Sequence, residues 1–283
     1  MQRLKPDGWS ALILPFLILG SILFLYPAVY ELTQAFTSFT LPRTGGLDNF
    51  SWFFSSSVNR TVLIRTISVA LGVASICMVL GYPYAYTMVR ARPAVRSLMV
   101  AVLVLPSLVG LVERNFAWIV ILQRQGGALN GLLDQLGLGR SDLLGSSTAV
   151  FLGLSNAAFP FMVLPLYAVL RGVDLRVIGV ACSLGAPPWR AFLRVYLPLT
   201  IPGVIAGFTL AFVFSLGGII TPLMLGSTQQ TLVAQLIDIQ VRELGDFGTG
   251  GAAALILFGA TALILGLLLP LSRVGRTNRG VRE

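Results

Sequence analysis

Six stretches of the chain are predominantly apolar, at 11–36, 61–89, 97–122, 148–170, 202–225 and 250–271, and most charged residues fall in the connections between them. A bilayer's hydrocarbon core takes roughly 20 apolar residues in helix to cross. The pattern predicts an all-α membrane protein of six transmembrane helices. No intervening stretch could build its own soluble core, so residues 1–283 read as a single membrane domain. The first stretch follows Arg3 and Lys5 as a signal peptide's apolar region would, but it runs well past that length and has no small-residue cleavage site. It reads as a span. Prolines punctuate several of the spans, among them Pro15, Pro27, Pro83, Pro106, Pro160, Pro165 and Pro222. Each lacks a backbone donor, so a neighbouring helix or a wet internal cavity must satisfy the carbonyl it leaves free. Transport and ordinary packing account equally well for such helices.

Composition agrees: 55% of residues are hydrophobic and 11% charged, with a mean hydropathy of +0.84, against about 25% charged in soluble domains. The net charge of +9 is dispersed over short connections, which excludes a nucleic-acid surface and leaves membrane lipid as the expected surroundings. Lys and Arg mark orientation. On one side stand Arg3, Lys5, Arg90, Arg92, Arg96, Arg171, Arg176, Arg190, Arg194, Arg273, Arg276, Arg279 and Arg282; on the other, only Arg43, Arg60, Arg124, Arg140 and Arg242. Both termini are thereby expected in the cytoplasm of a multi-pass inner-membrane protein. Cys77 lies in an apolar run and Cys182 in a basic loop. Two such thiols in a chain without histidine predict neither a disulfide nor a metal site.

The loop at 171–201 has a helical grammar of its own. Asp174 is placed to cap a short helix through Leu184, Gly185 to end it, and Pro187-Pro188 to open a second helix from Trp189 to about Tyr196. In that second helix Trp189, Phe192, Val195 and Tyr196 recur at helical spacing, with Arg190 and Arg194 on the other side. The small-residue turn Gly185-Ala186 permits close backbone approach, and Trp189 and Phe192 offer anchors to a partner. The alternative is an interfacial helix with its aromatics in the headgroups.

The run from Ala181 to Ala186, then Trp189, Phe192, Val195, Leu197-Pro198-Leu199 and Ile201-Pro202-Gly203, resembles the loop that permeases of ATP-binding-cassette importers insert into their ATPase. Val112 to Trp118, Gln123 to Gly126, Leu129-Asn130 and Pro160 to Tyr167 resemble the spermidine/putrescine-type branch of that family. The resemblance implies the type I importer permease fold, with 171–201 as a cytoplasmic coupling loop. It implies coupling to the ATPase through Ala181, Leu184, Gly185, Ala186, Trp189, Arg190 and Phe192. It further implies two ATP-binding cytoplasmic subunits, which use ATP and Mg, a second permease subunit and a periplasmic solute-binding protein, with no cofactor bound by this chain. Where the family has Glu-Ala-Ala, this chain has Gly179-Val180-Ala181. The missing carboxylate favours a second permease that is a different chain, and Gly179 costs about 1 kcal/mol of helix propensity.

Polar residues inside the spans are the candidates for a solute pathway: Glu113, Arg114, Asn115 and Trp118 in the third, Asn156 with Ser155 in the fourth, Ser215 and Thr221 in the fifth. Neighbours in a helix point in different directions, so Glu113 and Arg114 do not neutralise each other. Two readings stay open, a cavity lining in which Glu113 attracts a cation beside Asn115 and Trp118, and an interhelical ion pair of Glu113 with Arg65. A membrane hydroxyl commonly bonds within or between helices. At Leu216-Gly217-Gly218 the polyamine-type pattern has an acid that is missing here, which counts against assuming a polyamine and leaves the solute polyamine-like or another small organic molecule. Without a phosphate-binding glycine loop, a histidine or a nucleophile elbow, the chain reads as non-catalytic, with ATP hydrolysis in another subunit. The expected function is translocation of a small polar solute by alternating access; the alternative is an ATPase-independent secondary carrier or channel.

Overall fold

The computed structural model describes residues 8–37, 46–137, 139, 141–174 and 176–273. Arg3, Lys5, Arg43, Arg140, Arg276, Arg279 and Arg282 lie outside them, so the charge asymmetry expected of the connections is only partly placed. The described residues are helical throughout. In chain order the α-helices are α1 (Gly8–Gln34), α2 (Asp48–Ser55), α3 (Ser57–Arg90), α4 (Pro93–Leu108), α5 (Leu111–Leu122), α6 (Ala128–Gln135), α7 (Ser147–Arg171), α8 (Arg176–Ser183), α9 (Pro188–Ala191), α10 (Leu197–Leu216), α11 (Ile220–Leu225), α12 (Val233–Asp238) and α13 (Phe247–Arg273). Among the described residues four segments are long and apolar enough to cross a membrane, Ser57–Arg90, Ser147–Arg171, Pro188–Leu216 and Phe247–Leu267. The bent pair α4 and α5 makes a fifth if it is one span.

The third span departs from the continuous helix expected over 97–122. α4 and α5 meet at 101°, because Val109 and Gly110 are both extended, with ψ of 137° and 153°. Pro106 weakens the end of α4 by removing a donor. At the break a Cβ on Gly110 would stand 2.0 Å from Glu113 Oε2, so a larger residue there would displace the Glu113 carboxylate. The fifth span is broken as well, since α10 stops at the pair Gly217-Gly218 and α11 starts afresh at Ile220. Two consecutive glycines carry little helix propensity.

The chain forms two compact units, Met1–Arg60 with Leu236–Phe258, and Thr61–Gln235 with Gly259–Glu283. In the first, the Asn49 amide donates to the carbonyls of Ala35 (3.0 Å) and Thr37 (2.7 Å), and Phe36 packs on Phe50 at 5.4 Å. Asp246 caps α13 by accepting from the Thr249 N–H at 3.1 Å, as expected of an acid at a helix start. Gly248 lies so close to that junction that a Cβ would fall 2.4 Å from the Thr37 carbonyl oxygen.

In the second unit α7 is the central rod, with 61% of its apolar window buried against 22% for α13. Lipid tails are as apolar as leucine, so membrane helices associate through close packing of small residues more than through a hydrophobic drive. α10 presents Gly203, Gly207, Ala211 and Ser215 at four-residue spacing, all buried. A Cβ on Gly203 would stand 2.8 Å from Val169 Cβ, and one on Gly207 2.5 Å from the Met162 carbonyl oxygen. On the α3 side, a Cβ on Gly72 would meet the Phe151 ring at 2.6 Å and one on Gly81 would meet Met162 and Val163 at 3.2 Å. Between those glycines the buried Cys77 thiol donates to the Ser155 carbonyl at 3.4 Å.

Overpacking a tight interface costs about 1–3 kcal/mol. Gly207→Ala is therefore expected to lower the thermal unfolding midpoint of the detergent-solubilised protein. Gly259→Ala, where nothing lies within 4 Å of the added Cβ, is expected to leave it unchanged or raise it slightly. Equal midpoints for the two variants would contradict the α7–α10 seam.

Candidate functional site

The loop at 171–201 is built from local chemistry. Asp174 Oδ1 accepts from the Arg176 N–H at 2.9 Å and so opens α8. At the other end the Gly185 N–H donates to Cys182 O (3.0 Å) and the Ala186 N–H to Ala181 O (3.1 Å). With Gly185 at φ +91°, this pair of bonds is a Schellman closure, which needs a left-handed residue at that place. Nothing in the chain lies within 4 Å of a Cβ there. Glycine is thus demanded by backbone conformation, and the space above it is open.

Pro188 is the first residue of α9, where its missing N–H costs nothing. After Ala191 the backbone widens into one π turn, Phe192–Tyr196, whose Leu197 N–H bonds back to Phe192 O. It then continues as α10, so the second helix of the loop and the fifth span form one rod. Pro198 has no N–H to give, and the widened turn accommodates this just where α10 begins.

The expected apolar face of that helix divides in two. Tyr196 is fully buried and Phe192 partly, whereas Trp189 is 60% exposed and Leu184 84% exposed, with Val180 beside them in the open. Arg190 lies over the Trp189 ring, its guanidinium carbon 5.0 Å from the centroid. Trp189 is left exposed, so its helical spacing from Phe192 does not bring it inside. Ala181 and Ala186 are half-buried and Gly185 is exposed. The tip is a small-residue turn flanked by exposed apolar side chains.

Phe192 and Tyr196 pack onto rings of α3 that sequence reasoning did not single out. Tyr86 meets Phe192 edge-on at 5.4 Å and Tyr196 at 5.6 Å, Tyr82 meets Phe192 at 6.0 Å, and Phe192 and Tyr196 stack at 5.6 Å. Thr200 uses its one hydroxyl proton on Leu197 O at 2.8 Å, so in its 3.0 Å bond with Tyr82 the tyrosine is the donor. Arg90 stands over Tyr86 at 5.0 Å. The available signal was the Tyr82/Tyr86 spacing of four in the last turns of α3, which puts both rings on one face.

The polar candidates inside the spans are only partly brought together. Asn115 is buried and donates to Leu111 O at 2.8 Å. Its Oδ1 lies 3.6 Å from the place of a Cβ on Gly153, where Thr221 and Leu225 also converge at 2.7 and 2.5 Å. Gly153 of α7 is thus the point at which the half-helices α5 and α11 close on the central rod. Trp118 is half-buried against the cluster of Leu122, Ala149 and Leu225. Ser215 is buried and bonds Ala211 O in its own helix at 2.7 Å, while Asn156 is exposed. Glu113 is exposed in the first turn of α5, its carboxylate over Gly110, where the helix dipole favours an acid. No ion pair joins it to Arg65 among the described residues. Arg114, one residue on, is half-buried.

Beyond these helices, Asn130 organises the 123–146 connection. Its amide donates to Leu122 O (3.2 Å) and Gln123 O (3.0 Å), and its Oδ1 accepts from Ser141 N–H (3.0 Å). Arg124 pairs with Asp142 at 2.7 Å across the same connection.

This architecture and its sequence match known proteins. The chain is 30% identical over 210 residues, 74% of each chain, to the spermidine/putrescine transport system permease protein PotB of Escherichia coli (strain K12). It is 30% identical over 214 residues, 73% of this chain and 77% of the other, to the molybdenum transport system permease protein ModB of Mycobacterium bovis (strain ATCC BAA-935 / AF2122/97). Its fold matches a chain of a bacterial alginate ABC transporter, crystallised with an alginate pentasaccharide-bound periplasmic protein, at a TM-score of 0.73 and 19% identity over 94% of both chains. Residues 76–272 match the family model described as binding-protein-dependent transport system inner membrane component, and the chain belongs to that family.

Proposed function

We propose that this chain is a permease subunit of an ATP-driven importer, moving a small polar solute across the inner membrane by alternating access. The observation that carries the proposal is the tip at 180–189, a Schellman-closed glycine turn with open space above Gly185 and exposed Val180, Leu184 and Trp189 around it. Such a tip fits a groove on a partner, because the turn admits close backbone approach and the apolar side chains supply anchors. The partner is an ATP-binding cytoplasmic subunit, one of two, which holds the ATP and Mg that this chain does not. A second permease chain, six spans in each with both termini in the cytoplasm, and a periplasmic binding protein complete the assembly.

Substrate identity follows less directly. Relatives equally similar to this chain are named for polyamines and for molybdenum, so overall likeness does not choose between a cation and an oxyanion. Within the spans, Glu113 is the exposed acid nearest the break between α4 and α5, beside Arg114, Asn115 and Trp118. An exposed carboxylate at a helix break favours a cationic solute of the polyamine kind. Ser215, whose hydroxyl is used inside its own helix, is left out of the pathway.

Two outcomes are expected. Gly185→Val forces a β-branched residue to positive φ, which the turn does not tolerate. It should abolish uptake by whole cells while the protein still inserts, and the ATPase should no longer co-purify with the tagged chain; undiminished uptake and co-purification would refute the docking assignment. For the pathway, Glu113→Gln should raise the half-saturating concentration of spermidine uptake by about tenfold, the loss of about 1.4 kcal/mol, whereas Ser215→Ala should leave it unchanged. A Glu113→Gln variant with wild-type uptake would remove the acid from the pathway.

A further inference from the structure

The tip has two mechanical connections to the spans, and only one is covalent. The covalent one runs through α9 and the π turn into α10. The other is the group of rings Tyr82, Tyr86, Phe192 and Tyr196, which joins the base of the loop to the last turns of α3, more than a hundred residues earlier in the chain. It is a closed set of contacts. Each of the four rings touches at least one other, two pairs involve Tyr86, and three involve Phe192.

The α3 end of this connection is stiffened independently. Arg96, at the start of α4, donates from Nε to Met88 O at 3.2 Å and from a terminal nitrogen to Ala91 O at 3.1 Å. It thereby satisfies carbonyls that the helix end leaves without an intrahelical partner. Arg90 covers the outer face of Tyr86. At the loop end the backbone is in its least regular state, since the π turn spans the residues that carry Phe192 and Tyr196. A π turn inside an α-helix is a place where register can change. The rings therefore bridge a deformable segment and a rigid one.

We propose that Tyr86, with Phe192 and Tyr196, is a positioning residue that carries displacement of the loop tip sideways into α3, so that α3 and α10 move together when the tip is pulled. The inference rests on the docking role proposed for the tip. It concerns where motion goes after docking. Ring contact is what transmits, and the Tyr196 hydroxyl, buried without a partner among the described residues, contributes nothing to it.

The test uses the assembled complex purified with its ATPase, reconstituted in nanodiscs, with spin labels at exposed positions on α3 (Val79) and α10 (Leu210). The label distance distribution is recorded without nucleotide and with ATP and vanadate, alongside co-purification of the ATPase and its hydrolysis rate. In the otherwise unaltered protein, nucleotide should shift both labels relative to the exposed Leu164 of α7. Tyr86→Ala should keep ATPase binding and hydrolysis while the nucleotide-induced population shift of the α3 label falls by about tenfold, equivalent to about 1.4 kcal/mol of coupling. Tyr86→Phe and Tyr196→Phe, which keep the rings, should behave as the parent does. Phe192→Leu supplies the same test where Tyr86→Ala does not assemble. A full α3 shift in Tyr86→Ala or Phe192→Leu overturns this inference alone. Absence of the ATPase from the parent complex, or of any nucleotide response in it, sinks the docking role and this inference together.

Discussion

The contact on which the rest of the second unit depends is the approach of α10 to α7 through Gly203 and Gly207. In a bilayer two apolar helices associate through the fit of their surfaces, helped by interhelical hydrogen bonds and lipid entropy rather than by a hydrophobic drive. Here the fit is closer than any residue with a Cβ allows without displacing Val169 or the Met162 backbone. The loop at 171–201 leaves the end of α7 and returns at the start of α10, so this seam clamps its two feet. Fixed feet give the loop a defined base, which the proposed docking role would use as that of a lever. On its other side α7 is held to α3 by Gly72, Gly81 and the Cys77 bond to Ser155. Under the proposed alternating access, the central rod would be the reference against which neighbouring helices change position.

Around that rod the backbone is interrupted at places where interruption is chemically affordable. At Val109-Gly110 the chain turns through 101°, at Gly217-Gly218 it stops and restarts, and at Phe192–Tyr196 it widens by one residue per turn. Unsatisfied carbonyls are costly where water is scarce. Each break accordingly falls next to a residue that had no proton to offer, Pro106, Pro198 or Pro222, or at glycines that resist helix in any case. The half-helices created by the first two breaks both end against Gly153, so two breaks distant in sequence are joined by one missing side chain.

Much of this was legible because the information was local. Apolar run length found helices long and apolar enough to cross a membrane, though the one expected over 202–225 runs from Pro188 to Leu216. Asp174, Gly185 and Pro188 each act on residues within a turn of themselves, so their caps and closure could be read one residue at a time. The bend in the third span was not legible. Its apolar run continues across 109–110 without change of character, and Pro106, the nearest flag, stands ahead of the turn. The division between Trp189 and Phe192 was hidden for another reason. Helical periodicity gives the direction of a side chain but not how far the neighbouring helices extend. Among the pathway candidates, Ser215 bonds its own backbone four residues back, while Trp118 packs against a cluster whose members depend on which helix lies opposite. The rings of Tyr82 and Tyr86 acquire meaning only through Phe192 and Tyr196, and no short-range rule connects them.

The exposed Leu184 and Trp189 also bear on the life of the molecule before it is assembled. If the tip faces the cytoplasm as proposed, a newly inserted copy offers an oily surface around a glycine turn to the aqueous phase, and surfaces of that kind are what chaperones and membrane proteases use to recognise unfinished work. Under the proposed docking role, the partner that works the lever is also the cover that hides it. Synthesis of this chain in excess of that partner would then be corrected by disposal, and the number of surviving copies would be set by the scarcer subunit.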